Sequence, residues 1–258
     1  MGVGRVFTSN RLQRMSEWIQ ARRNVTVQEL VEQFQVSDMT IRRDLQKLEE
    51  SNPGFKRIHG GVIWSEVDIP YVLRENEHIV EKQRIAAYCR SIIQAGDTII
   101  LDSGTTTYEI AVVLADSNIR DITVITYALN VAHRLRNVDH ISLMMPGGEF
   151  RKGTQSFVGS TARRFFEAVY ANKVFISTSG ITLDVGFTNT TFAEVEIKQV
   201  LSRASEAVYY VTDSSKFGQR SPYIFAPLSN NTKIITDKDL DDDWTRKLEE
   251  RRVELVKV

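Results

Sequence analysis

One cysteine stands in 258 residues, Cys89, so the chain cannot close an internal disulfide. No Cys-x-x-Cys or Cys-His pairing accompanies it. Its helical-looking neighbours Ile85, Ala86, Ile92 and Ile93 mark it as a small buried hydrophobe rather than a redox or nucleophilic group. Histidine is nearly as sparse: His59, His78, His133 and His140 are scattered without ligand spacing, so neither a metal nor a cofactor is called for. Long apolar runs are missing as well. None approaches the roughly 18 residues of a membrane span, and Met1 to Asn10 lacks the apolar stretch of a signal peptide. No membrane partner is expected, and the cytoplasm is the simplest address. Net charge is zero, with 33 basic and 33 acidic residues, which by itself predicts no polyanion partner.

What is present is ordinary in bulk and uneven in distribution. Hydrophobic residues at 42% and charged ones at 26% suit a soluble globular chain and argue against long disorder. The length exceeds a typical single domain of roughly 100 to 200 residues, so a small head and a larger body are expected. Residues 1–64 form the head, 65–80 an acidic, irregular connector with Pro70, and 81–258 the body. The head holds ten Lys or Arg against seven Asp or Glu, a surplus of three that the rest of the chain cancels. With so small a surplus, an argument for nucleic acid must rest on where the charges sit.

In the head, Leu12, Met15, Ile19 and Trp18 recur at helical spacing after Ser9, giving a helix that ends near Arg23-Asn24. Thr26 with Glu29 three residues on is a capping box opening a second helix through Phe34. Gln35-Val36 is the turn, and Ser37 caps a third helix whose buried stripe is Ile41, Leu45 and Leu48. The opposite face gathers Met39, Thr40, Arg42, Arg43, Gln46 and Lys47. A major groove requires such a face: arginines for guanine edges or phosphates, a threonine for short contacts, and a helix N-terminus near phosphate. A charged face is usually just solvated, but here Phe55 to Trp64 follows as two short strands about His59-Gly60-Gly61, with Lys56, Arg57 and His59 on the hairpin. A basic hairpin directly after a basic third helix is a winged helix-turn-helix arrangement, which reads double-stranded DNA. A head that binds protein is the weaker alternative.

Beyond the connector, apolar runs alternate with helical stretches. Strands are expected at Thr98-Leu101, Ile122-Ile125, Ile141-Met145, Val174-Ile176, Ala207-Val211 and Lys233-Ile235. Helices are expected at Glu81-Gln94, Thr106-Ala115, Leu129-Leu135, Val158-Val169, Ala193-Arg203 and Asp241-Glu250. The rhythm predicts an α/β body with a mostly parallel sheet covered on both faces, which binds ligands at the carboxyl ends of its strands. Four loops there are candidates. Asp102-Ser103-Gly104-Thr105-Thr106-Thr107 places a glycine and hydroxyl groups at a helix start that can hold an anion, and it is not a Walker loop because no lysine follows the glycine. Gly147-Gly148 leads to Arg151 and Lys152, Ser177-Thr178-Ser179-Gly180 follows the fourth strand, and Asp213-Ser214-Ser215-Lys216 the fifth. Taken singly each loop is explained by capping or turning; at four strand ends they suit a phosphate on a polyhydroxy body. Glu194 and Lys198 lie one helical turn apart, which fits an intrahelical ion pair and a sugar-hydroxyl contact equally well.

Ser37-x-x-Thr40-Ile41-Arg42-Arg43-Asp44-Leu45 with Arg57-x-His59-Gly60-Gly61 resembles the DeoR family of bacterial transcriptional regulators. Ser103-Gly104-Thr105-Thr106, Gly147-Gly148, Gly180-Ile181 and Asp213-Ser214-Ser215-Lys216-Phe217-Gly218 resemble that family's sensor domain, so the likeness runs over nearly the whole chain. Two segments depart from the pattern: Ser51-Asn52-Pro53-Gly54 inserts a turn before the wing, and Ser177-Thr178-Ser179-Gly180 replaces a Gly-Ala-Asp-Gly-like loop. The resemblance implies a body similar to the ribose-phosphate and glucosamine-phosphate isomerase fold that senses a phosphorylated sugar or related metabolite. In those isomerases an acidic residue lies in the loop after the strand matching Val174-Ile176. Here that loop has no carboxylate, although Asp184, Glu194 and Asp213 are possible neighbours, so no catalytic residue is assigned and binding without turnover is expected. The resulting expectation is a repressor of a carbohydrate-use operon that binds an operator as a homo-oligomer, because one small head contacts too few bases. A phosphosugar isomerase or hydrolase carrying an appended head is the alternative.

Overall fold

The computed structural model describes residues 3–22, 24–51, 54–58, 60–64 and 70–258. The chain divides into two compact units, Met1–Ile69 and Pro70–Val258.

The first unit runs α1 (Val3–Arg22), β1 (Asn24–Thr26), α2 (Val27–Phe34), α3 (Asp38–Ser51), β2 (Phe55–Ile58) and β3 (Gly61–Trp64). Its first helix starts well before Ser9. Thr26 and Glu29 form the reciprocal capping box: Glu29 N–H donates to Thr26 Oγ1 (3.2 Å), and Thr26 N–H donates to Glu29 Oε2 (2.7 Å). Gln35 turns the chain with φ 52°. At the start of α3, Thr40 N–H donates to Ser37 Oγ (3.3 Å). Ile41, Leu45 and Leu48 are buried with Met15, Ile19, Leu30, Phe55 and Val62 in one core. The unforeseen element is β1, which pairs antiparallel with β3 and makes a three-stranded sheet in the order β1-β3-β2. Gly61 is required there, because a Cβ would overlap the Val25 carbonyl oxygen across the sheet. His59 and Asn52-Pro53, which the sequence reading assigned to the wing and to an inserted turn, lie outside the described residues.

The second unit opens with α4 (Tyr71–Arg74) and α5 (Ile79–Ser91), followed by β4 (Thr98–Leu101), α6 (Thr105–Ala115), β5 (Ile122–Thr126), α7 (Leu129–Leu135) and β6 (Ile141–Met144). Next come a hairpin of β7 (Glu149–Arg151) and β8 (Ser156–Val158), then α8 (Ser160–Glu167), β9 (Ala171–Ile176), β10 (Gly180–Thr182), β11 (Gly186–Asn189) and α9 (Phe192–Leu201). The chain finishes with β12 (Ser205–Val211), β13 (Tyr223–Ala226), β14 (Lys233–Thr236), α10 (Asp242–Glu250) and β15 (Glu254–Lys257). Seven strands form a wholly parallel sheet in the order β15-β14-β12-β9-β4-β5-β6. Alternation along the strands feeds two cores: Ile100, Val174 and Ile176 face α8, α9 and α10, while Ile99, Leu101 and Phe175 face α5, α6 and α7. Cys89 is buried in the latter core, and its surroundings push the thiol up out of the reactive range. Sequence periodicity missed β15, the β7–β8 hairpin and a small antiparallel sheet in the order β10-β11-β13.

Chain order and strand order diverge at one place. From β4 the chain moves outward through β5 and β6, then returns to β9 on the other side of β4 and continues outward through β12, β14 and β15. That switch point opens a crevice at the carboxyl ends of β4 and β9. Among the described residues no helix is long and apolar enough to cross a membrane.

Candidate functional site

Two surfaces carry the predicted site residues. On the first unit, the outward face of α3 presents Met39, 80% exposed, with Arg42, Arg43 and Gln46 exposed and Thr40 and Lys47 half-buried. Its charge is more internally paired than the sequence suggested. Arg42 is ion-paired with Asp38, Gln46 donates to Glu50 (2.8 Å), and Lys47 lies 3.9 Å from Asp44. Arg57 on β2 binds Glu49 of α3 through its backbone N–H (3.0 Å) and Nε (2.6 Å), and these bonds hold the Glu49 carboxyl below its ordinary value. Arg43 makes no ion pair with any described residue. Asp44 is buried and accepts from Arg11 Nε (2.8 Å) of α1, which ties α3 to the first helix and leaves its opposite face outward. Lys56 lies on the hairpin backbone, and its side chain and His59 fall outside what is described.

On the second unit, the crevice between β4 and β9 is a cleft of about 520 Å³, counting its open mouth. Its floor is a buried polar knot. Asp102, the first residue after β4, is fully buried and ion-paired with Lys198 of α9 (2.5 Å). The same carboxylate accepts from the Ser177 backbone N–H (2.9 Å), the Ser177 hydroxyl and the Tyr127 hydroxyl. Burial pushes the Asp102 carboxyl up, but Lys198, Ser177 and Tyr127 together more than offset it and hold it below its ordinary value. Thr107 Oγ1 donates back to the carbonyl oxygens of Asp102 (2.7 Å) and Gly104 (2.9 Å), closing the turn into α6. Gly104 has no room for a side chain, since a Cβ would overlap Ser177.

Above the floor, Ser103, Gly104, Thr105 and Thr106 line one wall at the start of α6, and Ser179, Asn189 and Glu194 line another. Glu194 is held by four donors: Ser103 Oγ (2.8 Å), Ser156 Oγ (3.4 Å), Asn189 Nδ2 (3.0 Å) and Thr191 Oγ1 (3.1 Å). Of the two readings open for Glu194 and Lys198, the intrahelical pair does not form: Lys198 turns to Asp102, 96 positions away, and Glu194 is taken by its four hydroxyl and amide donors. Lys216 and Asp213 complete the rim, with the Asp213 carboxyl pushed up by burial yet net lowered by Lys216, Ser215, His78 and Lys82.

Not every predicted residue reaches this cleft. Gly147, Gly148 and Lys152 belong to the neighbouring β7–β8 hairpin region and do not line it; Gly148 is needed where a Cβ would overlap the Val158 carbonyl oxygen. Gly180 lies behind the wall against the Gln219 backbone. Asp184 pairs with Arg220 on the surface (3.3 Å). Conversely, Arg74, His78 and Lys82 line the cleft and were not anticipated, because the segment carrying the first two reads as a plain connector. Their i, i+4, i+8 spacing would suggest a single helical face, but no one helix carries all three, since α4 ends at Arg74 and α5 begins at Ile79.

Comparison with known proteins identifies the family of the chain. A family model for the DeoR-like helix-turn-helix domain matches residues 11–66, and one for the DeoR C terminal sensor domain matches residues 77–238. The chain belongs to the DeoR family. Its DeoR relatives include the HTH-type transcriptional regulator IolR of Bacillus subtilis (strain 168), 34% identical over 245 residues that cover 94% of this chain and 96% of that protein. A lactose phosphotransferase system repressor of Streptococcus mutans serotype c is 34% identical over 244 residues, covering 92% and 95%. Among solved structures, ribose 5-phosphate isomerase from Plasmodium falciparum is 14% identical over 53% of this chain and 52% of that one, with a TM-score of 0.39. A match that loose carries no information about ligand or reaction. The DeoR assignment makes the chain a DNA-binding transcriptional regulator with an α3-bearing head and an effector-type body.

Proposed function

We propose that this DeoR protein is a repressor of a carbohydrate-use operon whose body binds a phosphorylated sugar without turning it over. One observation carries the reading: the cleft at the switch point is lined by hydroxyls, helix-start amides and cations, while the carboxylates of Glu194 on its wall and Asp102 on its floor are already engaged. Thr105, Thr106 and Lys216 are suited to a phosphate, and Ser103, Ser179, Asn189 and Glu194 to sugar hydroxyls. A general base must be free to take a proton, and Glu194, with four donors on its two oxygens, is not. Repressor names among the relatives, such as the lactose phosphotransferase system repressor, support the regulatory side of the reading.

The operator is read by the exposed face of α3, with Met39, Thr40, Arg42, Arg43, Gln46 and Lys47 against base edges and phosphates, and by the wing that bears Lys56, Arg57 and His59. Paired heads in a homo-oligomer supply the length of contact that one head lacks. Incubation with a panel of pentose and hexose phosphates tests the effector half: thermal stabilisation without conversion is expected, and sustained conversion would make the protein an isomerase-type enzyme. Footprinting on DNA upstream of its own gene tests the other half, and no protected stretch at moderate salt would sink the operator claim.

A further inference from the structure

The cleft at the switch point lacks the apolar lining that most small-molecule sites have. Among the described residues no Leu, Ile, Val, Met or aromatic side chain lines it; its walls are hydroxyls, amides, carboxylates and cations. Such walls serve a phosphate and the hydroxyl edges of a sugar, and they offer little to the C–H face of its ring. An apolar surface stands at the lip instead, beside Asn189 and Glu194. Asn189 of β11 pairs in register with Tyr223 of β13, and partners across an antiparallel pair set their side chains on one face about 5 Å apart. Asn189 turns that face to the cleft, where its Nδ2 donates to Glu194 Oε2 (3.0 Å). Tyr223 therefore stands next to the cleft wall.

A second ring comes from α9. Phe192 is the first residue of that helix, two before Glu194, and its ring meets the Tyr223 ring edge-on at 5.7 Å. Phe192 is 57% exposed and Tyr223 40%, whereas Val195 and Phe225, a few residues along the same elements, are buried. Ile224 is exposed too, but it alternates to the opposite face of β13. A single exposed apolar side chain is ordinary. Two in ring contact at the mouth of a polar cleft form a patch of the kind that marks a binding groove, because a bound molecule can remove both from water.

We infer that Phe192 and Tyr223 form an aromatic lip that stacks on the C–H face of a ring-closed sugar whose polar groups the cleft holds. The C–H bonds on one face of such a ring present positive ends, and an aromatic ring presents a negative face, so the two attract beyond the area they bury. An open-chain polyol of the same charge has no such flat face. The lip thus selects the cyclic form, which contacts to hydroxyls alone do not distinguish. This rests on the reading of the cleft as a phosphosugar site, and it adds the ring form as the selected feature, with Phe192 and Tyr223 as its specificity-determining residues.

The test uses the full-length protein and two matched pairs of probes: glucose 6-phosphate against sorbitol 6-phosphate, and ribose 5-phosphate against ribitol 5-phosphate. Each pair shares its carbon number and charge and differs in ring closure. In calorimetric titrations wild type should bind the ring-closed member of at least one pair about fivefold or more tighter than its alditol. A Phe192→Ser/Tyr223→Ser double variant should lose that preference, its two affinities falling within about twofold while the alditol's is unchanged. Proton spectra of wild type give a reading that needs no variant: the C–H protons of the bound ring sugar should move upfield through ring currents, and a bound ring sugar without that shift overturns the lip. Equal affinity of wild type for both members of every pair it binds overturns the lip and leaves the cleft reading standing. Binding of none of the four probes overturns the lip and counts against the cleft reading too. A ring preference that survives in the double variant also overturns it, and a double variant that then sediments as a smaller species would assign the two rings to a contact between copies of the chain.

Discussion

Replacing Lys198 by methionine removes the ammonium from the floor of the cleft and keeps most of the side chain's volume. Lys198 and Asp102 are 3% and 0% exposed, so water cannot take over the carboxylate. Removing one partner of a buried pair costs about 3–5 kcal/mol, because the other charge is left uncompensated. Asp102 retains the Ser177 N–H, the Ser177 hydroxyl and the Tyr127 hydroxyl as donors, which places the expected loss at the lower end, about 3 kcal/mol. For a unit of this size that lowers the melting temperature by ~6–12 °C, measured by circular dichroism on the full chain. The loss has a characteristic pH dependence. In the native protein Asp102 lies below its ordinary value of 3.8, so its stabilisation is present above that value and fades as pH falls through the lower, folded one. In Lys198→Met the largest opposing partner is gone and burial dominates, so the folded carboxyl is raised and its charged form becomes a penalty as pH climbs. The gap between the two proteins should therefore narrow on going from about pH 7 to about pH 4.5. Adding Asp102→Asn to the variant should restore part of the loss. A gap below about 1 kcal/mol at neutral pH, or one indifferent to pH, would refute the view of the floor as a buried, mutually dependent pair.

Three further outcomes are expected. Arg43→Ala should weaken binding to the footprinted operator by about 1–3 kcal/mol in a gel-shift titration while leaving the melting temperature and phosphate binding unchanged; unaltered affinity would remove α3 from the interface. Gly104→Ala forces Ser177 out of position and should cost about 1–3 kcal/mol in chemical denaturation, together with weaker stabilisation by sugar phosphates; full retention of both would mean the turn is looser than its packing implies. Thr26→Ala dismantles the capping box of α2 and should lower the stability of the first unit by about 1 kcal/mol, and no change would show that Glu29 alone suffices.

Local chemistry was legible in the sequence wherever partners lie within a turn or two of each other. The Thr26/Glu29 box, the Ser37 cap, the Ile41/Leu45/Leu48 stripe and six of the seven parallel strands needed no tertiary information, since periodicity and capping are properties of neighbouring residues. The seventh strand, Glu254–Lys257, escaped because it is a short edge strand with a charged residue at each end. Arg42 and Arg57 read as free contacts on a basic face, yet Asp38 and Glu49 engage them; the first pair was visible as an i, i+4 spacing, the second only once the hairpin folded back on α3.

The cleft at the switch point divides along the same line. That Ser103-Gly104-Thr105-Thr106 opens a helix after a strand is dictated by adjacent residues, and so are the hydroxyl and glycine loops at other strand ends. Which loops meet is not. Asp102 and Ser177 become neighbours because β9 returns beside β4 rather than beyond β6, and Lys198 reaches Asp102 across 96 positions instead of pairing with Glu194 four residues away. For the same reason Gly147, Gly148 and Lys152 were drawn into the expected site, while Arg74 and His78 were left out because their segment reads as a connector. The sequence by itself determined the main helices, six of the seven parallel strands and the chemical character of the loops. The order of strands in the sheet, decided by long-range burial of their two apolar faces, selected which of those loops share a cleft.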